Sequence, residues 1–180
     1  MRADAQRNYD AIVRAAAVEV ERVGADASLE DIARNAGVGS ATLHRRFRTR
    51  RALLQAVFVD RITTICEHAD VLSARMGAGE ALEAWLRELA RFSASTRGVA
   101  DALILGTVPD PATSACETML ISTASSLHAR ALERGEVSAT VSALDLLALV
   151  NSLSLGSRTA PDPVEYAERL LGLALDGIRR

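Results

Sequence analysis

The residues best equipped to bind a charged partner lie close together, between positions 40 and 51. They are two small residues, one threonine and four arginines: Ser40, Ala41, Thr42, Arg45, Arg46, Arg50 and Arg51. A guanidinium can donate two parallel hydrogen bonds to a phosphate or to the acceptor atoms of guanine. The small residues permit close approach, and the threonine adds a hydroxyl and a methyl group. This combination favours contact with the backbone and bases of duplex DNA.

The charge distribution agrees with that chemistry, although the whole chain has a formal net charge of -2. Residues 34–59 contain six arginines and no Asp or Glu, which gives this segment a local charge of +6. The positive charge is therefore concentrated where the candidate DNA contacts lie. An ordinary solvated, arginine-rich surface helix is the alternative, but such a helix does not require the capping and glycine signals described next.

Two short helices must position these side chains. Ser28 followed three residues later by Asp31 matches the capping-box pattern, so a helix is predicted to begin near Leu29. Gly37 stands where a left-handed residue ends that helix. A second helix opens at Gly39 and Ser40, and its Leu43 and Phe47 form the inward stripe, which leaves the polar residues outward. This is the pattern of a DNA-binding helix-turn-helix.

We predict DNA contacts for the outward residues and for the residues that begin the following helix. Thr49 can cap that helix, so that its N-terminus, Arg50 and Arg51 face a phosphate. Arg45 or Arg46 would form the specific base contact, and the sequence does not decide which. The predicted DNA-binding set is Ser28, Gly39, Ser40, Ala41, Thr42, His44, Arg45, Arg46, Thr49, Arg50 and Arg51.

Residues 1–55 resemble the N-terminal domain of TetR-family transcriptional regulators. That family has a first helix of the IL-x-AA type followed by IA-x-x-AGVS-x-GTLY-x-x-F-x-x-K-x-x-L. Matching residues are Ile12-Val13, Ala15-Ala16, Gly24, Ile32-Ala33, Ala36-Gly37-Val38, Thr42-Leu43, Phe47 and Leu53-Leu54. Departures are Val20 for phenylalanine, Gly39 for serine, Ala41 for glycine, His44 for tyrosine and Arg50-Arg51 for Lys-Glu. The family tyrosine contacts a phosphate; His44 can do so through a ring N–H, more strongly when protonated, or it can remain a neutral residue with one hydrogen bond.

The resemblance implies an all-α fold with a helix-turn-helix domain over 1–55 and a helical effector-binding and dimerisation domain over 56–180. Abundant Ala and Leu and scarce β-branched runs also indicate an all-α chain. Beyond residue 49 the predicted helices span 50–75, 80–95, 113–134, 139–155 and 163–178, with a short apolar segment over 99–108 and a loop over 109–111. Asp162 and Pro163 mark the last helix start.

The last two helices offer more apolar surface than one small domain readily hides. By the resemblance, this pair builds a symmetric dimer interface, for which we predict Leu144, Leu147, Leu155, Leu170 and Leu173; burial within one chain is the alternative. The family also implies a pocket for an unknown small-molecule effector, with Trp85, Phe92, Leu103, Met119 and Leu120 as its candidate lining. Most of these large side chains are equally suited to a core.

Other classes of function find little support. The three histidines (His44, His68 and His128) lack metal-site or nucleophile spacing, so no catalytic residue, metal or cofactor is expected.

Cys66 and Cys116 are expected to be buried free thiols, with a redox sensor as the alternative. No signal peptide or membrane-spanning run is expected, which favours a cytoplasmic protein. The sequence therefore predicts a homodimeric, ligand-responsive repressor of a palindromic operator. The alternatives are an activator of the same build and an all-helical dimeric protein-interaction module.

Overall fold

The computed structural model describes residues 2–96 and 111–177, and these residues are almost entirely helical. Two short 3-10 turns, Gly24–Asp26 and Ser157–Thr159, accompany the α-helices. The eight α-helices of the described ranges are α1 (Arg2–Val23), α2 (Leu29–Asn35), α3 (Ser40–Arg46), α4 (Arg50–Arg75), α5 (Ala78–Ser95), α6 (Pro111–Glu133), α7 (Ala143–Gly156) and α8 (Pro163–Asp176). The predicted all-α fold is confirmed.

The described residues form two compact units, 2–61 with Thr96, and 62–95 with 111–177. In the first unit, α1 packs against α2, and α2 packs against α3. The apolar stripes of α1, α2, α3 and the start of α4 meet in one core. Its buried members include Ile12, Val13, Ala16, Ile32, Ala33, Leu43, Leu53 and Leu54. The predicted inward residues of α3 are confirmed, because Leu43 is fully buried and Phe47 is 6% exposed.

Local signals set the ends of α2 as predicted. The Ser28 hydroxyl accepts a hydrogen bond from the Asp31 backbone N–H at 3.3 Å, which satisfies a donor that the first turn leaves unpaired. At the other end Gly37 has φ +68, and the Val38 N–H bonds to the Ala33 carbonyl at 3.0 Å. This is the glycine-terminated end of a Schellman motif. It turns the chain into α3 within a few residues.

The second unit is organised around α5, which packs against α6, α7 and α8. Trp85 of α5 is completely buried, and its indole N–H donates to the Ile65 carbonyl at 3.0 Å. Leu86, Leu127, Leu146 and Leu171, from four different helices, are also buried. Arg87 and Arg91 of α5 reach α8, where they bond to the backbone and the carboxylate of Glu168. Apolar burial and these polar links together hold α8 against α5.

Three predicted helix starts are wrong, and α8 ends at Asp176 and not at residue 178. Pro111 is the first residue of α6 and not part of a loop, because a proline lacks only an N–H that the first helical position does not use. Helix α5 begins at Ala78, two residues before the predicted start, and the Glu80 carboxylate accepts the Gly77 N–H at 3.2 Å. Helix α7 begins at Ala143 and not at residue 139. The predicted apolar segment 99–108 lies outside the described residues.

The late start of α7 has a local cause. The Ser138 and Thr140 hydroxyls bond to each other at 2.9 Å, and the Val141 N–H bonds to the Ser138 carbonyl. These bonds offer the backbone an alternative to the helix. A complete capping box then follows, in which the Ser142 hydroxyl accepts the Asp145 N–H and the Asp145 carboxylate accepts the Ser142 N–H. The predicted cap of α8 is confirmed, since Asp162 accepts the Glu165 N–H at 3.0 Å.

Candidate functional site

Helix α3 carries most of the predicted DNA-binding residues. An α-helix turns by about 100° per residue, so Arg45 lies directly opposite the inward direction set by Leu43 and Phe47. Ala41 and Thr42 flank Arg45 on the same outward face. Arg45 and Ala41 are exposed, while Thr42 is half-buried. A helix inserted by this face into a major groove would direct Arg45 at the base edges.

Two residues lie on the sides of α3, about 100° to either side of Arg45: His44 and Arg46. Both are exposed. The Arg46 guanidinium lies over the Tyr9 ring of α1, 4.9 Å from its centroid. Arg45 instead donates to the Thr42 hydroxyl at 3.1 Å. The two adjacent arginines, which the sequence could not separate, therefore have different partners and directions.

Tyr9 is absent from the predicted site residues. Its ring is half-buried and lies 5.4 Å from the ring of Phe47, centroid to centroid, so it links the aromatic end of α3 to α1. The two residues are 38 positions apart in the sequence, and nothing in their local patterns relates them. Tyr and Phe are scarce, however, since the chain has only five of them in all. That scarcity is the one sequence signal that could have drawn attention to Tyr9 and Phe47.

The start of α4 presents a second group of predicted residues. The Thr49 hydroxyl accepts the Ala52 N–H at 3.1 Å, which confirms the predicted cap. Thr49, Arg50 and Arg51 are all exposed. The N-terminus of α4 and two guanidinium groups are thus close in sequence at one capped end. Such an end suits a phosphate oxygen.

The remaining predicted DNA-binding residues differ in their surroundings. Gly39 and Ser40 are exposed at the start of α3, where Gly39 takes the N-cap position without a side-chain cap. Ser28 is half-buried, and its hydroxyl both caps α2 and donates to Glu30 at 3.3 Å. The Ser28 side chain therefore already has a structural role, and its DNA contact stays a prediction.

The residues predicted to line an effector pocket are dispersed. Trp85 and Phe92 are buried in the core of the second unit, whereas Met119 and Leu120 of α6 are half-buried. Leu103 lies outside the described residues. A cleft of about 500 Å³ in the same unit includes Met76, Leu127, Arg130, Arg134 and Glu136 in its lining. None of the four predicted pocket residues that the structure describes lines this cleft.

The predicted dimer residues lie on α7 and α8, which pack against each other. Three of the five are strongly exposed for leucines: Leu144 at 58%, Leu155 at 50% and Leu173 at 62%. Leu147 and Leu170 are half-buried. Residues 2–96 and 111–177 therefore leave most of this surface uncovered, which disfavours the alternative in which these leucines are all core.

Cys66 and Cys116 are buried free thiols, as predicted. Burial raises the pKa of both thiols, and a hydrogen bond with Thr123 acts against that effect at Cys66. Within residues 2–96 and 111–177, His, Cys, Asp and Glu side chains form no group that could hold a metal ion. The described helices also include none long and apolar enough to cross a membrane.

Two segments of the chain match models of known protein families. Residues 12–57 match the model of bacterial regulatory proteins of the TetR family, and residues 77–180 match the C-terminal domain of SbtR-like transcriptional regulators. A comparison with curated protein sequences returns no match.

Among solved structures, a TetR transcriptional regulator from Streptomyces coelicolor is 35% identical, with 94% of this chain and 97% of that chain covered and a TM-score of 0.78. A TetR regulatory protein from Mycobacterium vanbaalenii is 33% identical over 99% of both chains, with a TM-score of 0.76. FadR from Bacillus subtilis, solved with stearoyl-CoA, shares the fold: 16% identity, 94% and 99% coverage, TM-score 0.65. These matches and the helix-turn-helix geometry show that the chain belongs to the TetR family of DNA-binding transcriptional regulators.

Proposed function

We propose that this regulator binds a palindromic operator as a homodimer and represses transcription until a small-molecule effector releases it. The observation that carries the proposal is the exposed face of α3, with Arg45 opposite the core and the capped start of α4 following it in sequence. A helix of this kind enters the major groove, and a dimer would place two of them on successive grooves of a symmetric site.

We assign the contacts by direction. Ala41, Thr42 and Arg45 face the base edges, and Arg45 makes the two-pronged contact to guanine. Phosphates are bound by residues at the start of α2, at the start and sides of α3, and at the start of α4. This second group comprises Ser28, Gly39, Ser40, His44, Arg46, Thr49, Arg50 and Arg51, which fix the position of the protein and not the sequence it selects.

Dimerisation is supported by the exposed leucines of α7 and α8. Leu144, Leu155 and Leu173 are each at least half exposed, and covering apolar surface contributes roughly 25 cal/mol per Å². In the proposed dimer these residues, with Leu147 and Leu170, pack against the same residues of a second copy. A two-fold axis of this kind matches the symmetry of a palindromic operator.

The effector site belongs to the proposed domain 56–180, after a DNA-binding domain over 1–55. Met119 and Leu120 support it best among the predicted pocket residues, because their partial exposure leaves surface for a ligand. Trp85 is the single tryptophan of the chain and lies buried in this unit, so its fluorescence can report ligand binding nearby. Effector binding must differ between two states of the dimer to release DNA. As a DNA-binding regulator, the protein would act in the cytoplasm.

The decisive experiment is selection of random duplex DNA by the purified protein at about 150 mM salt, a concentration at which sequence-independent binding is already weakened. A palindromic consensus is the expected result. Enrichment of an asymmetric site would reject the proposed dimeric operator. A folded, ligand-free protein that enriches no sequence would favour the protein-interaction module.

The selected operator then serves to screen effectors by release of bound DNA. The screen includes stearoyl-CoA, because FadR of the same fold was solved with it; that likeness is of fold alone. We expect Met119→Gln to impair release by a true effector while leaving operator affinity unchanged. Release that is equally sensitive to effector in this variant and in the original chain would remove Met119 from the proposed site.

A further inference from the structure

The feature that the proposed function leaves unexplained is the cluster of Tyr9, Arg46 and Phe47. Tyr9 belongs to α1, whereas Arg46 ends α3 and Phe47 follows it. The Tyr9 ring contacts both of the other residues. Its centroid lies 5.4 Å from the centroid of the Phe47 ring and 4.9 Å from the guanidinium carbon of Arg46. A half-buried tyrosine thus connects the apolar core of the first unit to an exposed cation of the recognition helix, α3.

This cluster restricts Arg46. A long, exposed arginine side chain samples many rotamers, and a DNA contact must order it at an entropic cost. A guanidinium over an aromatic face is attracted by the ring, and the ring of Tyr9 is itself fixed by Phe47, which is 6% exposed. Part of the ordering of Arg46 is therefore complete before DNA binds, which favours binding.

The direction of the restriction matters as well. Arg46 lies about 100° around α3 from Arg45, and Tyr9 lies on that side. When a helix lies in the major groove, its outer face meets base edges while its sides face the sugar-phosphate walls. A guanidinium held at the side is therefore within the region of a phosphate and away from the base contacts of Arg45.

We infer that Tyr9 is a positioning residue for DNA binding, which holds Arg46 at the side of α3 as a contact to a backbone phosphate. Arg45 alone of the two arginines then selects a base. The inference rests on the proposed placement of α3 in the major groove. It assigns to α1 a part in DNA affinity that the helix-turn-helix motif does not include.

A double-mutant cycle tests the inference, with DNA affinity measured for Tyr9→Leu, Arg46→Ala and both together. We expect Arg46→Ala to weaken binding to all sequences equally and to reduce the salt slope by about 1. Tyr9→Leu should weaken binding about two- to fivefold, the range that a cation–π contact of ~0.5–1 kcal/mol gives, and should cause no further loss in the Arg46→Ala background. Tyr9→Phe, which keeps the ring, should restore the original affinity.

The chain offers a matched control, because Arg169 lies over the Tyr166 ring at 5.1 Å within α8. Tyr166→Leu removes the same kind of pair far from α3 in sequence. Because Tyr166 shares α8 with the proposed dimer residues Leu170 and Leu173, its mass in solution is measured in parallel, and with the dimer intact DNA affinity should be unchanged. Losses from Tyr9→Leu that are equal with and without Arg46 would overturn the inference. Relaxed preference at one base pair in Arg46→Ala would also overturn it, since it would make Arg46 a base contact.

A second measurement does not depend on DNA. The ring current of Tyr9 should shift the Arg46 side-chain protons upfield in the NMR spectrum, and Tyr9→Leu should abolish that shift. Thermal unfolding of each variant shows whether the fold is retained. If Tyr9→Leu does not fold, two other measurements test the inference: the ring-current shift of the Arg46 protons in Tyr9→Phe, and the salt slope of DNA binding by Arg46→Ala. If random-sequence selection fails while the ring-current shift is present, the proposed operator is rejected and the pair itself stands. An absent shift in the original chain rejects the pair.

Discussion

The Arg45 guanidinium donates a hydrogen bond to the Thr42 hydroxyl at 3.1 Å, one turn earlier on α3. Both residues belong to the outward face of the recognition helix. The bond brings the two polar groups of that face together, so they would meet the same or adjacent base pairs. It also pairs part of the guanidinium before DNA is present, which favours one direction of a flexible side chain.

Arg45→Ala should relax sequence preference at one base pair of each half-site. Loss of a two-pronged contact to guanine is worth about 1–3 kcal/mol of discrimination between bases. The measurement is a comparison of affinities for the selected operator and for versions changed at single positions. Discrimination that is unaltered at every position would contradict the assignment of Arg45 to a base.

Arg50→Ala should weaken binding to all DNA sequences alike, because a phosphate contact carries no sequence information. The slope of log affinity against log salt concentration should fall by about 1, as one fewer phosphate is neutralised. Arg75→Ala is the matched control, since it removes an exposed arginine from the opposite end of the same helix. An unchanged salt slope in Arg50→Ala would exclude the phosphate contact.

Leu173→Glu should dissociate the proposed dimer. Leu173 is 62% exposed, so a glutamate there is tolerated by the single chain but would be buried and unpaired in the interface. The mass in solution, measured by light scattering, should fall to that of one chain, 19.2 kDa. Leu132→Glu, at a 39% exposed leucine of α6 outside the predicted interface, is the control. A mass that stays dimeric in Leu173→Glu would place this leucine elsewhere.

Ser142→Ala should lower the free energy of unfolding by about 0.5–2 kcal/mol through loss of the N-cap of α7. The control is Ser152→Ala at an exposed position inside the same helix, where alanine is neutral or stabilising. Chemical denaturation measures both. An equal effect of the two substitutions would show that the cap contributes nothing.

The contribution of this cap should also depend on pH. Hydrogen bonds from Ser142 hold the pKa of the Asp145 carboxyl below its ordinary value. A lowered pKa in the folded state gives stability that is complete above the unfolded value and lost as the pH falls through the folded value. The difference in stability between Ser142→Ala and the original chain should therefore shrink as the pH falls below about 4. A constant difference between pH 7 and pH 3 would contradict this linkage.

The sequence predicts the helix-turn-helix well because its signals are local. The Ser28 cap, the left-handed Gly37 and the inward pair Leu43 and Phe47 all act within a few residues, and each takes its predicted place. The start of α7 is harder to predict, because two sets of hydroxyl groups could each set it. One is the pair Ser138 and Thr140, and the other is the Ser142 cap. Ser138 and Thr140 form a turn there, and only their geometry shows that the turn prevails.

Contacts between distant residues lie beyond local patterns. The two adjacent arginines of α3 are chemically identical in the sequence, and only the structure shows that Arg45 bonds to Thr42 while Arg46 lies over the ring of the distant Tyr9. Similarly, Trp85 and Leu173 are both large apolar residues, and the sequence alone does not show which of them is buried. The packing of α5 covers the first and leaves the second 62% exposed, so burial decides which suits a core and which suits an interface.

The exposed leucines of α7 and α8 have a consequence for gene control. If operator binding requires the proposed dimer, then below its dissociation constant the occupied fraction of operators rises with the square of the number of chains per cell. A modest change in synthesis or degradation would then produce a steeper change in transcription. The apolar character of Leu144, Leu155 and Leu173 would thus set a threshold copy number, below which the regulated gene escapes control even without an effector.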